Sequence, residues 1–419
     1  MIHRPFLDSL EIVGIKLGLD QIRVLTRQLG QPQDTFQSIV VAGTNGKGSV
    51  TAMIERGLRA AGYHTGRYTS PHLVHLEERF AVDGQTTAAG QVDTAMARVE
   101  AASAHLPAPP SYFEATTAMA FEIFREADVE IAVLEVGLGG RLDATNVVNP
   151  LAVAITAIDF DHQAFLGDTI EAIAGEKAGV VKPGCLAVLA KNSETVRGIV
   201  RETCGRQMAR LVYAPEGVTT RMTVDAGVTR LSLSTPRQSY GTLTLSLRGR
   251  HQVDNAITAA RLLEELPASG LAVPADAIRM ALEDVEWPAR LELRWVDGHE
   301  ILIDGAHNPG GARALTGYLQ ETYGRRVPMV VGIMRDKPID EMIEALAPAA
   351  SHFVFTAPAS ARAATPADLL REATRVALDV PAIARARPSD ALRHAMSLGQ
   401  PTIVAGSLYL AGEIRAGIS

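Results

Sequence analysis

Runs of aliphatic residues alternate with amphipathic segments through the first half of the chain. Four of these runs are continuous and strand-like, at 36–45, 129–137, 151–158 and 185–190. Between them, the spacing of apolar residues predicts helices, for example over 49–62 and 113–127. A strand that is apolar along its whole length is buried on both faces, which is typical of a parallel sheet covered by helices. The pattern therefore predicts an α/β fold.

The pattern changes within residues 211–250, where short stretches alternate polar and apolar residues. The stretches 229–234 and 243–249 indicate a subsidiary antiparallel sheet or sheet edge, since one face of such strands meets water. A helical pattern follows at 251–266. We therefore expect a small second sheet beside the mostly parallel one.

A second α/β series begins after a proline in the segment 283–292. From there, strand-like apolar runs again alternate with helical patterns. The length of 419 residues also exceeds what one hydrophobic core usually supports. We therefore predict two domains, residues 1–287 and residues 288–419, and the second has a normal domain size.

Composition and charge narrow the classes of function. Apolar residues make up 47% and charged residues 21% of the chain, as in ordinary globular proteins. With 40 basic and 47 acidic side chains the net charge is −7, so we expect no broad contact with nucleic acid or an anionic membrane. The two cysteines, Cys185 and Cys204, lack the spacing of a zinc or redox site. The longest uncharged stretch, 394–412, is interrupted by glycine, proline, glutamine and serine, so no segment resembles a membrane span, and we predict a cytoplasmic protein.

The strongest local signal is the sequence VVAGTNGKGSV at 40–50, a strand-like run that turns through three glycines into a helix. Such a turn lets backbone N–H groups converge on phosphate oxygens at a helix N-terminus. Lys47 is the expected phosphate ligand and Ser49 the expected metal ligand. Gly48 stands between them, so the strict G-x-x-x-x-G-K-[ST] pattern is not met. The combination still favours a phosphate loop over an ordinary glycine turn.

An acidic residue and a second glycine-rich turn accompany this loop. Glu135 lies at the end of a buried strand-like run, where ligands gather in a parallel sheet, and its carboxylate suits Mg²⁺. The second turn, at 137–146, carries Asp143. His162 and Lys177 follow, but spacing alone leaves a hydrogen-bonded histidine and a solvated lysine as the simpler interpretations.

Several motifs, in consistent order, carry a family resemblance. They are GTNGKGS at 43–49, YTSPHL at 68–73, SYFE at 111–114, LEVGLGGRLDATN at 134–146, DH at 161–162, LG at 166–167, GEKAG at 175–179 and DGAHNP at 304–309. With them the chain resembles the folylpolyglutamate synthases, including their bifunctional dihydrofolate synthase form, among the Mur-ligase-like amide ligases. The resemblance implies an N-terminal domain of the P-loop ATPase type with a folate pocket, and a C-terminal Rossmann-like glutamate ligase domain.

The resemblance also implies a reaction in two steps. A carboxylate attacks the γ-phosphorus of ATP, which gives an acyl phosphate and ADP, and the amine of L-glutamate then displaces phosphate from the acyl carbon. Magnesium, expected at two sites, and fixed donors would stabilise the developing charge. The implied small-molecule substrates are ATP, L-glutamate and a folate or pteroate, and we expect a monomer.

Site residues follow from the matching positions. The resemblance assigns binding of the nucleotide phosphates to seven loop residues: Gly43, Thr44, Asn45, Gly46, Lys47, Gly48 and Ser49. The magnesium positions match Ser49, Ser70, Glu135 and His162. Lys177 matches a lysine that is carbamylated in this family, which would turn a cation into an anionic oxygen donor.

Further contacts are implied for the rest of the nucleotide and for glutamate. Asn255, Arg290 and Asp304 match adenine, phosphate and ribose contacts. Because Arg290 and Asp304 belong to the predicted second domain, ATP would be clamped between domains, and closure would keep water from the acyl phosphate. His307 would face the incoming glutamate.

A pteroate pocket is implied by three shorter segments. Its matching residues are Lys16, Leu17, Gly18, Ser111, Phe113, Glu114, Leu142, Asp143 and Ala144. The ring of Phe113 would stack on the substrate. Lys16 stands where at least some bifunctional members have an acid, so the electrostatics of this pocket are expected to differ.

Two other functions compete with folate ligation. A Mur-type cell-wall ligase would share the phosphate loop and the modified lysine, but such enzymes usually carry a separate N-terminal domain, and only ~40 residues precede the loop here. A nucleotide-dependent switch would not need Arg290 and Asp304 from a second domain. It would also be expected to read guanine through an N-K-x-D sequence, which does not occur.

Overall fold

The computed structural model describes residues 4–11, 14, 16–225 and 227–418. Contacts divide the chain into two compact units. The first comprises the chain up to Thr220 with Ser232–Leu243 and Val253–Val285, and the second comprises Arg221–Leu231, Thr244–Gln252 and Glu286–Ser419. Both units are discontinuous in sequence, so the single division at 287/288 stays a prediction.

An eight-stranded sheet forms the centre of the first unit. Its strands are β1 (Gln37–Ala42), β2 (Thr65–Tyr68), β3 (Phe80–Val82), β4 (Gln85–Thr86), β5 (Ile131–Glu135), β6 (Ala152–Ile155), β7 (Leu186–Leu189) and β8 (Arg210–Tyr213). The order is β4-β3-β2-β5-β1-β6-β7-β8; the pairs β2–β3 and β3–β4 at one edge are antiparallel, and the other pairs are parallel. Every residue of β5, β6 and β7 is buried, as their continuous apolar runs predict. The predicted α/β fold is confirmed.

Helices complete the core of the first unit. They are α1 (Pro5–Leu10), α2 (Asp20–Gln28), α3 (Lys47–Ala60), α4 (Ala89–Ser103), α5 (Tyr112–Glu126), α6 (Gln163–Leu166), α7 (Ile170–Ala178), α8 (Glu194–Arg206), α9 (Arg250–Glu265), whose first residues belong to the second unit, and α10 (Ala275–Glu283). The helix α3 is buried along most of its length and packs against α10. Arg56 of α3 donates from Nε and Nη2 to the carboxylate of Asp284, just beyond α10, at 3.2 and 2.5 Å. This pair ties the helix after the phosphate loop to the body of the unit.

A small antiparallel sheet lies between these elements in sequence. Its strands are β9 (Thr219–Asp225), β10 (Val228–Ser234) and β11 (Ser239–Leu245), in the order β11-β10-β9. Its residues are distributed over both units. The predicted subsidiary sheet is therefore present. Its last strand, β11, is shifted by four residues toward the N-terminus relative to the predicted stretch 243–249.

The second unit is built on a six-stranded sheet. Its strands are β12 (Glu292–Val296), β13 (His299–Ile303), β14 (Val327–Val331), β15 (Ala350–Phe355), β16 (Ala382–Ala384) and β17 (Thr402–Ala405). Their order is β12-β13-β17-β14-β15-β16, and only the β12–β13 pair is antiparallel. The helices are α11 (Pro309–Tyr323), α12 (Ile339–Leu346), α13 (Pro366–Val376), α14 (Pro388–Leu398) and α15 (Leu408–Gly417). Parallel strands with helical crossovers put the loops after β13, β14 and β17 at one edge.

In the part of the chain that the structure describes, no helix combines the length and the apolar character that crossing a bilayer requires.

Candidate active site

The glycine-rich loop joins the end of β1 to the start of α3. Gly46 immediately precedes α3 with φ of +90°, a conformation in which a side chain would be strained. A Cβ on Gly46 would stand 2.3 Å from Oδ1 of Asn255, and one on Gly43 would stand 1.9 Å from Oγ1 of Thr156. Both positions therefore require glycine, and Asn255, the predicted nucleotide contact, packs directly on the loop.

The first half of the loop is hydrogen-bonded to the segment that follows β6. The amides of Thr44 and Asn45 both donate to the carbonyl of Ala157, at 2.8 and 3.1 Å. The Thr44 hydroxyl donates to the carbonyl of Asp159 at 3.0 Å and accepts from the amide of the same residue at 3.1 Å. These four bonds fix the loop at its entry.

The second half of the loop is the first turn of α3. The first intrahelical hydrogen bond runs from the amide of Val50 to the carbonyl of Gly46, at 3.0 Å. The amides of Lys47, Gly48 and Ser49 therefore lie at the helix N-terminus, the end that attracts anions through the helix dipole. This geometry suits a phosphate group in spite of the inserted Gly48.

Two lysine ammonium groups converge on one carbonyl of the loop. Lys47 donates from Nζ to the carbonyls of Gly43 and Thr44, both at 3.1 Å. Lys177, on α7, is only 4% exposed and donates from Nζ to the carbonyl of Gly43 at 2.8 Å. Burial lowers the pKa of Lys177 to about 7, and the charge of Lys47 acts in the same direction. The simpler interpretation of Lys177 as a solvated surface lysine was wrong.

The residues predicted to hold magnesium lie at the carboxyl edge of the large sheet. Ser49 follows β1, Ser70 follows β2, Glu135 ends β5 and His162 follows β6, and these strands are mutually parallel. A carboxylate oxygen of Glu135 accepts from the amide of Ser70 at 3.2 Å. Among the described residues, no group of three or more His, Cys, Asp and Glu side chains is arranged to hold a metal.

A hydrogen-bonded turn that the sequence did not indicate follows Ser70. The carboxylate of Glu78 accepts from three successive amides, those of Leu73, Val74 and His75. Arg79 donates from Nε to Nδ1 of His72 at 3.0 Å, and its guanidinium lies 5.2 Å from the ring centre of Tyr112. Burial, helped by the charge of Arg79, lowers the pKa of His72 to about 3, so the neutral ring accepts this bond. In the sequence, this turn could have been inferred from the charged residues that directly follow the YTSPHL motif.

Two of the segments predicted to bind pteroate meet in the structure. The amide of Gly18 donates to the carbonyl of Leu142 at 3.3 Å. Lys16 donates from Nζ to the carbonyl of Pro109 at 3.2 Å, and Leu17 is 39% exposed. The segment before α2 therefore lies against the second glycine-rich turn and near the start of α5.

The ring of Phe113 lies at the same place. Its Cζ stands 2.6 Å from the position that a Cβ on Gly137 would take, so only glycine lets the ring approach the turn this closely. The ring centre of Tyr68 is 6.0 Å away. Ala144, the remaining predicted residue of the turn, is buried. The geometry thus gathers an aromatic ring and two backbone segments at one location.

Three residues predicted to bind pteroate form hydrogen bonds within the protein, namely Ser111, Glu114 and Asp143. The Ser111 hydroxyl accepts from the amide of Glu114, whose carboxylate accepts from the Ser111 amide at 2.7 Å and from its hydroxyl at 2.8 Å. This is a capping box at the start of α5. Asp143 accepts from the amides of Leu138 and Thr145, and burial raises its pKa although these bonds act the other way. Their contacts organise the two loops, and a role in substrate binding stays a prediction.

In the second unit, Asp304 follows β13 and fixes the backbone around it. Its carboxylate accepts from the amide of Leu291 at 2.9 Å and from that of Ala306 at 2.8 Å. His251 is a neighbour that the sequence did not indicate. Burial lowers the pKa of His251, and of the two charges that act on it Asp304 opposes this shift while Arg290 adds to it.

Arg290 lies between two residues in the left-handed region, Ala289 with φ of +56° and Leu291 with φ of +49°. Such residues rarely adopt this conformation, which is concentrated at functional turns. Nη1 of Arg290 donates to the carbonyl of Ala289 at 2.9 Å and stands 2.5 Å from where a Cβ on Gly305 would be. Nδ1 of His307 lies 2.8 Å from the carbonyl of Gly305, so it carries the proton of a neutral ring, because a carbonyl only accepts. The three predicted residues of the second unit therefore meet around Gly305.

Two family descriptions match the chain. The Mur ligase middle domain matches residues 41–263, and the glutamate ligase domain of Mur ligases matches residues 289–408. The dihydrofolate synthase/folylpolyglutamate synthase of Bacillus subtilis is 33% identical over 96% of this chain and 95% of its own length. The enzyme of the same name from Mycobacterium tuberculosis is 36% identical over 83% of this chain and 75% of its own length.

Solved structures agree with these relatives. The folylpolyglutamate synthase of Mycobacterium tuberculosis complexed with ADP superposes with a TM-score of 0.91, at 32% identity, over 99% of this chain and 98% of that one. Escherichia coli FolC in complex with DHPP and ADP superposes with a TM-score of 0.87, at 29% identity, over 99% of this chain and 96% of that one. The chain therefore belongs to the folylpolyglutamate synthase/dihydrofolate synthase family of Mur-type ligases.

Proposed function

We propose that this chain joins L-glutamate to the carboxylate of a folate-type acceptor and converts ATP to ADP and phosphate. Membership of the family supports the reaction class, and relatives with ADP bound support the nucleotide. The observation that carries the proposal is the convergence of Lys47 and the buried Lys177 on the Gly43 carbonyl, at the N-terminus of α3. The Lys47 ammonium and the N-terminus of α3 place positive charge where a triphosphate would sit, and Lys177 is held directly beside them.

The chemistry divides into two displacements. A carboxylate oxygen of the acceptor attacks the γ-phosphorus, the bond from that phosphorus to the β–γ bridging oxygen breaks, and ADP leaves. The neutral amine of glutamate then attacks the acyl carbon, the carbon–oxygen bond to phosphate breaks, and the amine releases one proton. The amides of Lys47, Gly48 and Ser49, with the Lys47 ammonium, are the groups of the loop that orient the phosphates and offset their charge.

Magnesium fits the donors at the carboxyl edge of the sheet. The hydroxyl groups of Ser49 and Ser70 and the carboxylate of Glu135 are hard oxygen donors, and His162 adds a nitrogen. When bound, magnesium would offset the charge of the phosphoryl oxygens. We assign these four residues to two magnesium sites.

Carbamylation of Lys177 is the second part of the proposal. Because burial lowers its pKa to about 7, much of this amine is neutral near physiological pH, and only the neutral amine reacts with CO₂, releasing one proton. The product is an anion beside Lys47. Incubation with ¹³C-bicarbonate should give a carbamate carbon signal in the NMR spectrum of the wild type that Lys177→Met abolishes. A signal that persists in the variant would place the modification elsewhere.

The second unit supplies further ligands under this proposal. Arg290 and Asp304 contact the nucleotide, as does Asn255 beside Gly46, and His307 faces the incoming glutamate. A role for His307 beside glutamate is supported by its hydrogen bond to the Gly305 carbonyl. Because Nδ1 donates to this carbonyl, Nε2 is the basic nitrogen of the neutral ring.

The acceptor pocket is proposed around Phe113, with the segments Lys16–Gly18 and Leu142–Ala144 as its walls. Two observations suggest dihydropteroate as a second acceptor. Relatives are named as both dihydrofolate synthase and folylpolyglutamate synthase, and Escherichia coli FolC forms a complex with DHPP. A monomer in the cytoplasm is still a prediction, which light scattering and cell fractionation would test.

A single assay tests the proposed function. Purified protein receives ATP, Mg²⁺ and labelled glutamate, with tetrahydrofolate, dihydropteroate or a UDP-muropeptide as the acceptor in separate reactions. We expect labelled amide and stoichiometric phosphate with tetrahydrofolate, and also with dihydropteroate. Amide with the muropeptide alone would identify a cell-wall ligase, and phosphate release without amide from any acceptor would indicate a nucleotide switch.

A further inference from the structure

We propose that the hydroxyl of Thr44 is a positioning group that holds the phosphate loop in register with the segment carrying Asp161 and His162. The inference rests on the proposed function, since it concerns how the loop is set for the nucleotide. Family resemblance assigns all seven loop residues to the nucleotide alike. The hydrogen bonds instead divide the loop into an anchored half and a helix-starting half.

Thr44 uses its polar hydrogens within the protein. It is 6% exposed, its amide donates to Ala157, and its hydroxyl donates to the carbonyl of Asp159 while accepting from the Asp159 amide. A backbone amide and a hydroxyl each have one hydrogen to give. Thr44 therefore cannot donate to a phosphate without breaking one of these bonds, and its contribution is to fix the position of the loop.

The segment to which Thr44 is bound is held from its other side. The side-chain amide of Asn192 donates to the carbonyl of Thr156 at 3.2 Å, and its oxygen accepts from the amide of Ile158 at 2.9 Å. Thr156 also occupies the space beside Gly43. The hydroxyl of Thr44 thus connects the loop to a braced segment.

This connection makes the loop and the start of α6 a single body. His162, a proposed metal ligand, lies three residues beyond Asp159, and Lys177 joins the same body through Gly43. A misplacement of roughly 1 Å between reacting groups can lower a rate by about 100-fold. Loss of the Thr44 hydroxyl should therefore weaken nucleotide binding and lower kcat without removing an atom that touches the nucleotide.

The test compares Thr44→Val, which removes the hydroxyl at nearly constant shape, with Thr44→Ser, which keeps it. Thr51→Val is the matched control, because Thr51 lies on α3 and its buried hydroxyl has no hydrogen-bond partner within the described residues. Calorimetry gives the ADP affinity with and without Mg²⁺. Steady-state kinetics separates KM for ATP from kcat, and hydrogen exchange follows the amides of residues 156–162.

We expect Thr44→Val to bind ADP roughly tenfold more weakly, the size of a lost hydrogen bond to a fixed partner. It should also lower kcat and speed exchange at 156–162, while Thr44→Ser and Thr51→Val stay near the wild type. Wild-type affinity and exchange in Thr44→Val, or equal weakening in Thr44→Ser, would overturn the inference. Should Thr44→Val fail to fold, Thr44→Cys takes its place, because a thiol is a weaker hydrogen-bonding group.

ADP affinity and hydrogen exchange do not depend on ligation. A wild type that binds ADP but forms no glutamyl amide would therefore contradict the proposed function alone, and the comparison of the Thr44 variants would still decide the inference.

Discussion

At the scale of single residues, Lys177 is the side chain on which the proposed chemistry depends most. We expect Lys177→Ala to lower kcat by about 100-fold or more, because a group that stabilises charge in the transition state is lost. A short carboxylate added in solution should restore part of the activity if an anion normally occupies this position. Steady-state kinetics at increasing carboxylate concentration checks this expectation.

The control for this experiment is Lys191→Ala, which removes an exposed lysine and should leave kcat unchanged. Loss of activity in Lys177→Ala with no rescue at any carboxylate concentration would favour a structural role for the ammonium group. The hydrogen bond from Lys177 to Gly43 would then be its main contribution.

The contrast between Lys47 and Lys177 explains which site residues could be predicted. Lys47 belongs to a local pattern of strand, glycines and helix, and such a pattern can be read from neighbouring letters. The burial of Lys177 arises from the packing of α7 against a loop 134 residues earlier in the chain. No spacing rule contains that information, and for the same reason Thr156 and His251 were not indicated by the sequence.

His64 gives a pH dependence of stability. Its Nδ1 lies 2.6 Å from a carboxylate oxygen of Asp83 and its Nε2 lies 2.6 Å from the carbonyl of Ala127, so only the protonated ring donates to both. Burial alone would lower the pKa of His64, but these hydrogen bonds outweigh it and raise the pKa. The stabilisation is complete below the unfolded value of about 6.5 and is lost as the pH rises through the folded-state pKa.

Urea denaturation of the wild type and of His64→Gln checks this sign. The free energy of unfolding of the wild type should exceed that of His64→Gln by more at pH 6 than at pH 9. His105→Gln, which changes an exposed histidine, should show no such difference. An equal difference at both pH values would mean that the proton on His64 does not matter for stability.

At the scale of elements, the capping box of α5 separates a structural role from a binding role. Ser111→Ala removes the cap and should lower the free energy of unfolding by about 1 kcal/mol. Ser193→Ala removes the comparable cap of α8 and should have a similar effect on stability. Thermal and chemical denaturation measure both losses.

If Ser111 also contacts the acceptor, its variant should in addition raise KM for the folate several-fold, whereas Ser193→Ala should not. We expect this difference, since Ser111 precedes Phe113 by two residues at the proposed pocket. Identical KM values in the two variants would leave Ser111 as a cap only.

The long elements were predictable because each is set by its own apolar pattern. The runs 36–45, 129–137, 151–158 and 185–190 contain β1, β5, β6 and β7. The strands β2, β3, β4 and β8 were not identified, because none of them lies in an apolar run as long as those that contain β6 and β7. They form only beside strands that already exist, so tertiary pairing determines them.

At the scale of the whole molecule, nucleotide binding should appear as added stability. A ligand at 100 times its dissociation constant raises the free energy of unfolding by about 2.7 kcal/mol. We expect ADP to raise the melting temperature of the wild type and of Lys191→Ala. Lys47→Met should lose most of this increase at the same ADP concentration, because its ammonium no longer meets the phosphates.

Differential scanning calorimetry over a range of ADP concentrations measures the effect. If Lys47 acts only within the loop, through its bonds to the carbonyls of Gly43 and Thr44, the variant would be less stable without ligand and equally stabilised by ADP. That result would remove Lys47 from the list of phosphate ligands.

The two compact units differ from the two predicted domains in one respect. A change of pattern near residue 287 marks the start of the second α/β series, which the sequence alone can indicate. The assignment of residues 221–231 and 244–252 to the second unit depends on packing between segments far apart in the chain. Composition and periodicity carry no signal for such partners.

The interleaving of the units has a consequence for synthesis on the ribosome. All strands of the eight-stranded sheet lie before residue 214, so they can pair while the rest is still being translated. Residues 221–231 and 244–252 emerge next, before the partners with which they pack. At about 5–20 residues per second they wait roughly 10 to 30 s for the chain to be finished. During this interval we expect the nascent chain to expose the side chains that these segments later bury in the second unit, and so to bind chaperones that recognise exposed apolar surface.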